Sequence, residues 1–293
     1  MPNRRAIYSI LLILTLLCFS ALAQNSTSAP TIFEPGLIST GHEAAITFER
    51  DAQMVYFARR IDRKQPAHIY SSRVVNGAWQ APEQVHLGAD SWFDVDPCIS
   101  PDGKHLFFAS TRPLAQSIEG KSNRHIWVAD ASGQNWINPR PVENVNSGSK
   151  DGTPTVARDG TLYFFSDRGR DPGENSIYVA KLKNGKYQIP VMLPQPINTG
   201  ASDTSPFISP DGRVLLFYST RPGGKGSADL YVSYNQHGRW TEPENLGSIV
   251  NSSEEEDNPV VSPDGKRFFF GRNGNIYAVS ISAITVLKSA NIR

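Results

Sequence analysis

The chain has 293 residues, 39% of them apolar and 19% charged, which is the composition of a folded globular protein rather than a disordered one. Its 29 Lys and Arg stand against 28 Asp and Glu, which excludes a nucleic-acid binder that works by bulk positive charge. Two cysteines exclude a disulfide framework and a thiolate metal cluster.

Arg4 and Arg5 precede an apolar run from Ala6 to Leu17, and the run ends in Cys18-Phe19-Ser20-Ala21-Leu22-Ala23, whose A-x-A form marks a cleavage site before Gln24. This predicts a secretory signal peptide over 1–23, followed by a short linker over 24–30. The run is shorter than the ~20 apolar residues of a spanning helix, so no stable membrane anchor is expected. Leu17 stands where lipoprotein processing sites carry a small residue, which argues against lipidation of Cys18. The expected location is periplasmic or secreted. Cys98 then remains as the single cysteine of the mature chain, and its setting, Pro97-Cys98-Ile99, reads as a small buried side chain.

From residue 31 onward the chain repeats itself. Ser-Pro-Asp-Gly occurs at 100–103, 209–212 and 262–265, with degenerate copies at 157–160 (ARDG) and 49–52 (ERDA). The repeat aspartates are therefore Asp51, Asp102, Asp159, Asp211 and Asp264, spaced 51, 57, 52 and 53 residues apart. Each heads a turn that runs into an aromatic-rich strand: MVYFA, HLFFAS, TLYFFS, VLLFYS and RFFFG. A second strand follows with an aliphatic-aromatic pair, as in Ile69-Tyr70 and Ile126-Trp127, and then a tight turn such as Asn76-Gly77 or Asn184-Gly185. An aromatic with proline three residues on completes the unit in four of the repeats.

Four short antiparallel strands cannot bury both faces of their own sheet, whereas five such units stacked radially can. The expected fold is all-β: one five-bladed β-propeller of four-stranded antiparallel blades over 31–293, with blades near 41–88, 92–146, 149–197, 201–250 and 254–293. The last unit lacks its fourth strand, and the segment 31–40 supplies it, closing the ring. Only residues 282–288 read as helical.

The segments DVDPCISPDGKHLFFASTRP, DTSPFISPDGRVLLFYSTRPGGKGSADLYVS and NPVVSPDGKRFFF resemble the Pro-Asp-type propeller repeats of exported bacterial proteins, the TolB-like proteins among them. TolB proteins themselves resemble a six-bladed propeller behind a separate α/β domain. This chain shows neither feature, so the resemblance implies the stand-alone form and no particular reaction.

Eight residues before each repeat aspartate stands an acid: Glu43, Asp94, Asp151, Asp203 and Glu256. A basic residue follows the second strand of each unit: Arg59 and Arg60, Arg112, Arg168, Arg221 and Arg272. The four-strand order places both sets on the face that carries the longer loops, the usual home of function. One reading is a polar mouth that binds a hydroxyl-rich or anionic ligand. The other is a packing device in which each acid caps a turn or pairs with an arginine, and repetition once per blade favours it. Less regular features are the loops 112–124, 168–174 and 221–228, Trp92-Phe93 beside Asp94, and the acidic run Glu254 to Asp257. Trp92 suits sugar stacking or, equally, packing under a neighbouring loop, and the acidic run is read as a solvated loop rather than a cation site.

No H-E-x-x-H, G-x-S-x-G or phosphate-loop spacing is present, and Gly223-Gly224 opens no helix. No cofactor and no metal are expected. The sequence reading is thus a monomeric, non-catalytic propeller that binds an envelope glycan, peptide or protein partner on its loop face, with Glu43, Asp94, Asp151, Asp203, Glu256, Arg112, Arg168, Arg221, Arg272 and Trp92 as ligand contacts. The alternative is a glycoside hydrolase using Asp94, Asp203 and Glu256 as axial carboxylates.

Overall fold

The computed structural model describes residues 29–62, 64–114, 124–169, 174–288, 290 and 292. The predicted signal peptide lies outside them, as do the central parts of the loops 112–124 and 168–174. The chain forms five antiparallel sheets arranged as the blades of a propeller. The innermost strands are Glu43–Phe48, Asp94–Ile99, Asp151–Val156, Asp203–Ile208 and Glu256–Val261. Next come Met54–Arg59, His105–Ser110, Leu162–Ser166, Val214–Ser219 and Arg267–Arg272, and then His68–Val75, His125–Ser132, Ser176–Ala180, Asp229–Gln236 and Asn275–Ser280.

In blade 5 the fourth strand is Thr31–Ile32, which pairs Thr31 with Ala278 and Ile32 with Tyr277. The ring is therefore closed by the amino-terminal strand, so the carboxy-terminal sheet has no open edge at its third strand. The expected helix over 282–288 is realised as two short 3₁₀ turns, Ile281–Ala283 and Thr285–Leu287.

The repeat motif has a direct physical role. In every blade the repeat aspartate accepts the backbone N–H two residues on, from Gln53, Lys104, Thr161, Arg213 and Lys266. The three full motifs add a serine hydroxyl donated to the same carboxylate at 2.6 Å. The fourth turn residue needs a positive φ, which glycine adopts at no steric cost and which Ala52 is forced into at 58°. Between the blades the core is built on Phe57, Phe108, Phe164, Phe217 and Phe270, one from each second strand and each 0% exposed.

Candidate functional site in the axial channel

The five acids singled out by the repeats start the five innermost strands, and all are buried. Each pairs with the arginine of its own blade at 2.5–3.0 Å: Glu43 with Arg59, Asp94 with Arg112, Asp151 with Arg168, Asp203 with Arg221, and Glu256 with Arg272. The same guanidinium donates to a backbone carbonyl of the segment leading into the strand, at Ile38, Leu87, Val145, Ile197 and Val250. It also lies 4.9–5.5 Å over the core phenylalanine and over the aromatic of the third strand.

The carboxylates take further donors from that segment. Thr40, Gly41 and His42 donate backbone N–H groups to Glu43, and Ser147, Thr199 and Ser252 donate to Asp151, Asp203 and Glu256. The backbone N–H groups of Glu43, Asp94, Asp151 and Asp203 reach back to carbonyls of the preceding blade, at Gly274, Ala67, Arg124 and Asn175.

The surroundings of two of these acids differ in their electrostatics. Burial pushes the Asp94 carboxyl up, and the charge of Arg112 offsets that only in part. Burial also opposes ionisation of Asp151, but His125, Arg168 and Ser166 outweigh it and hold the group below the usual range. Trp92 is half-buried beside the second acid. The acidic run divides among separate environments: Glu255 accepts the Tyr218 hydroxyl, Glu256 joins the ring, and Asp257 turns inward. Among the described residues no cluster of three or more His, Cys, Asp or Glu suits a metal ion.

The open space lies elsewhere. A cavity of about 800 Å³ follows the propeller axis, and its wall begins two residues beyond each ring acid, at Ala45, Asp96, Thr153, Ser205 and Asn258. None of the ten predicted contact residues lines it. These five wall residues share a positive φ of 42–55° and sit where each innermost strand slips register against its neighbour. A bulge at the same place in every blade re-aims the strand, so the ring acid stays within its blade while the chain beyond faces the channel. The wall continues through Ile46, Cys98, Val156 and Val260 to the turn residues Arg50, Pro101, Arg158, Pro210 and Pro263. The channel therefore opens on the face of the tight turns. Arg50 and Arg158 occupy the two degenerate motifs where the others carry proline, and both are exposed.

Two carboxylates, one on the channel wall and one beside the ring acid of blade 5, were missed by reading the repeat. Asp96 is buried on the wall, takes the Thr153 N–H at 3.2 Å and lies 3.5 Å from Arg124. Asp257 is half-buried and has no basic partner among the described residues; burial, with the charges of Glu255, Asp96 and Glu256, pushes its carboxyl up to about 6. It faces Gly271 across the strand pair, where any Cβ would collide with the carboxylate. The other blades place uncharged residues at both positions: Ala44-Ala45, Gly152-Thr153 and Thr204-Ser205. That break in five-fold repetition is the signal that marks them.

Cys98 lines the wall, and burial pushes its thiol up to about 11. Almost none of it is thiolate at neutral pH, so it is no activated nucleophile. Alkylation by iodoacetamide at pH 8, followed by mass spectrometry, should run about a hundredfold slower in the folded chain than in urea, where the thiol returns to ~8.5.

No family model matches the chain, and no curated protein matches it by sequence. Among solved structures it is similar to a protein described as TolB from Agrobacterium tumefaciens, with 19% identity and TM-score 0.51 over 78% of this chain and 69% of that one. It is also similar to a thermostable family-43 glycoside hydrolase, with 12% identity and TM-score 0.52 over 85% of this chain and 91% of that one. A tricorn protease matches 84% of this chain at 16% identity and TM-score 0.49, and the chain spans 26% of its length. No helix among the described residues is long and apolar enough to cross a membrane. In fold, the chain is a TolB-like β-propeller with five blades.

Proposed function

We propose that the chain is an exported, non-catalytic propeller that binds an envelope glycan, peptide or protein partner, and that it receives the partner in the axial channel. The observation that carries this reading is the division of labour in the ring. All five repeat carboxylates are committed to arginines inside their blades, while a cavity of about 800 Å³ is left with a wall of prolines, aliphatic side chains and small hydroxyls, joined by the charged Asp96, Arg50 and Arg158. Such a wall offers shape, hydrogen bonds and a few charges to a ligand. Asp94, Asp203 and Glu256, the carboxylates on which a glycosidase reading rested, are not on it.

One observation favours a second reading. Asp257, pushed up to about 6 by burial and by the charges of Glu255, Asp96 and Glu256, is the kind of carboxyl that general acid catalysis of glycoside cleavage requires. Incubation with envelope polysaccharides and peptidoglycan fragments separates the two, with thermal shift and mass-spectrometric product analysis read from the same samples. The expected result is stabilisation without new products. Products that disappear in Asp257→Asn would establish the enzyme instead, and no response to any fragment would direct the search to protein partners.

A further inference from the structure

The outer rim of blade 3 departs from the rest of the surface. Its edge strand Val191–Met192 and the residues before it leave Ile189 81% exposed, Val191 65% and Met192 41%. Large apolar side chains grouped in this way on a soluble surface mark a contact site. Pro190 lies between them and has no N–H to offer, so the edge is blunted against pairing with another strand. The contact is therefore made by side chains.

The hairpin just before this edge carries the complementary feature. Leu182–Lys183 pairs with Lys186–Tyr187 across Asn184-Gly185, which places Lys183 directly opposite Lys186. Like charges in that position oppose folding. Lys181 adjoins them, through a backbone bond from the Gln188 N–H to the Lys181 carbonyl. None of the three lysines forms an ion pair with a carboxylate of the described residues. In a chain with 29 basic and 28 acidic residues this local excess is a matter of arrangement, not composition. An anion brought against the hairpin removes the repulsion.

We infer that the rim of blade 3 docks on an anionic lipid surface, with Ile189, Val191 and Met192 entering the boundary between headgroups and acyl chains, and Lys181, Lys183 and Lys186 at the phosphates. Exposed apolar side chains beside unpaired ammonium groups are the combination by which proteins lie on such surfaces without spanning them. Strand pairing is blunted by Pro190, and the exposed lysines beside the apolar cluster are complementary to an anionic surface. Leu182 and Tyr187 of the same hairpin line the axial cavity, so the docked rim adjoins the channel wall.

Cosedimentation with vesicles of phosphatidylcholine alone and of phosphatidylcholine with phosphatidylglycerol tests the inference. The wild-type chain should bind the anionic vesicles more tightly than the neutral ones at low salt, and lose the difference at ~1 M salt, where the screening length is ~3 Å. Each of Lys183→Gln and Lys186→Gln should weaken the anionic binding about fivefold, and Ile189→Ser with Val191→Ser should weaken it further. All four sites are exposed, so thermal unfolding of the variants should match wild type; because the variants share the apolar amino-terminal run, its contribution cancels. Equal binding to both vesicle types, or undiminished binding by the lysine variants, overturns the inference. Binding to an acidic peptide such as polyglutamate without binding to anionic vesicles overturns it too, and assigns the rim to an acidic protein.

Discussion

Arg221→Ala should destabilise the chain by about 3–5 kcal/mol, read as a shift of the denaturant midpoint and a fall in Tm of about 10 °C at roughly 2–4 °C per kcal/mol. Asp203 is fully buried, and its carboxylate holds Arg221 at 3.0 Å together with donors from Thr199 and Ser219. Removing the guanidinium leaves an uncompensated charge that cannot reach water. It also frees the Ile197 carbonyl and removes the cation seated 4.9 Å over Phe217 and Tyr231. The contrast is Arg158→Ala, at an exposed arginine on the channel mouth, which should stay within about 0.5 kcal/mol of wild type. Were the ring pairs held ready for a ligand rather than for packing, Arg221→Ala would leave the midpoint nearly unchanged and alter affinity.

Asp257→Asn should do the reverse and stabilise the chain at pH 7–8, by about 2–3 kcal/mol. The Asp257 carboxyl ordinarily titrates at 3.8 and is pushed to about 6 in the folded chain by burial and by Glu255, Asp96 and Glu256. The folded state thus holds the proton more tightly than the unfolded one. Its favourable contribution is complete below about pH 4 and is lost as the pH rises through about 6. Asparagine carries no charge at any pH, so the advantage of the variant should be largest above pH 6, shrink between 6 and 4, and vanish below 4. Unfolding free energies measured in urea across that range check the sign and the window, and a variant no more stable than wild type at pH 8 would contradict the account. A carboxyl that costs stability at neutral pH, seated against a glycine that alone leaves room for it, points to a use of Asp257 outside the fold.

The same channel shows why one carboxylate was legible before the structure and its neighbour was not. Asp94 and Asp96 are two residues apart, and Glu256 and Asp257 are adjacent. Periodicity picks out the member that recurs in every blade, because a packing contact between equivalent blades must recur. It passes over the member that occurs once. In a regular strand Asp94 and Asp96 would share a face. The bulge at Asp96 separates them, turning the first toward Arg112 and setting the second on the channel wall. Arg50 and Arg158 likewise look like lapses in the motif until the ring closes and puts both at the mouth of one cavity.

The sequence alone determined the number of blades, the order of strands within them and the closure by Thr31–Ile32, since these follow from local turn chemistry and from a repeat that must bury its sheets against copies of itself. It also located the acids and arginines of the ring. Only the tertiary structure decided that each acid meets its own arginine rather than the solvent, and that the cavity starts two residues further along and opens on the turn face. It likewise decided that the charge of Asp96, in the second blade, acts on Asp257, in the fifth. Those outcomes depend on the angle at which each strand enters the ring, and a bulge that re-aims a backbone leaves no mark in hydrophobic periodicity.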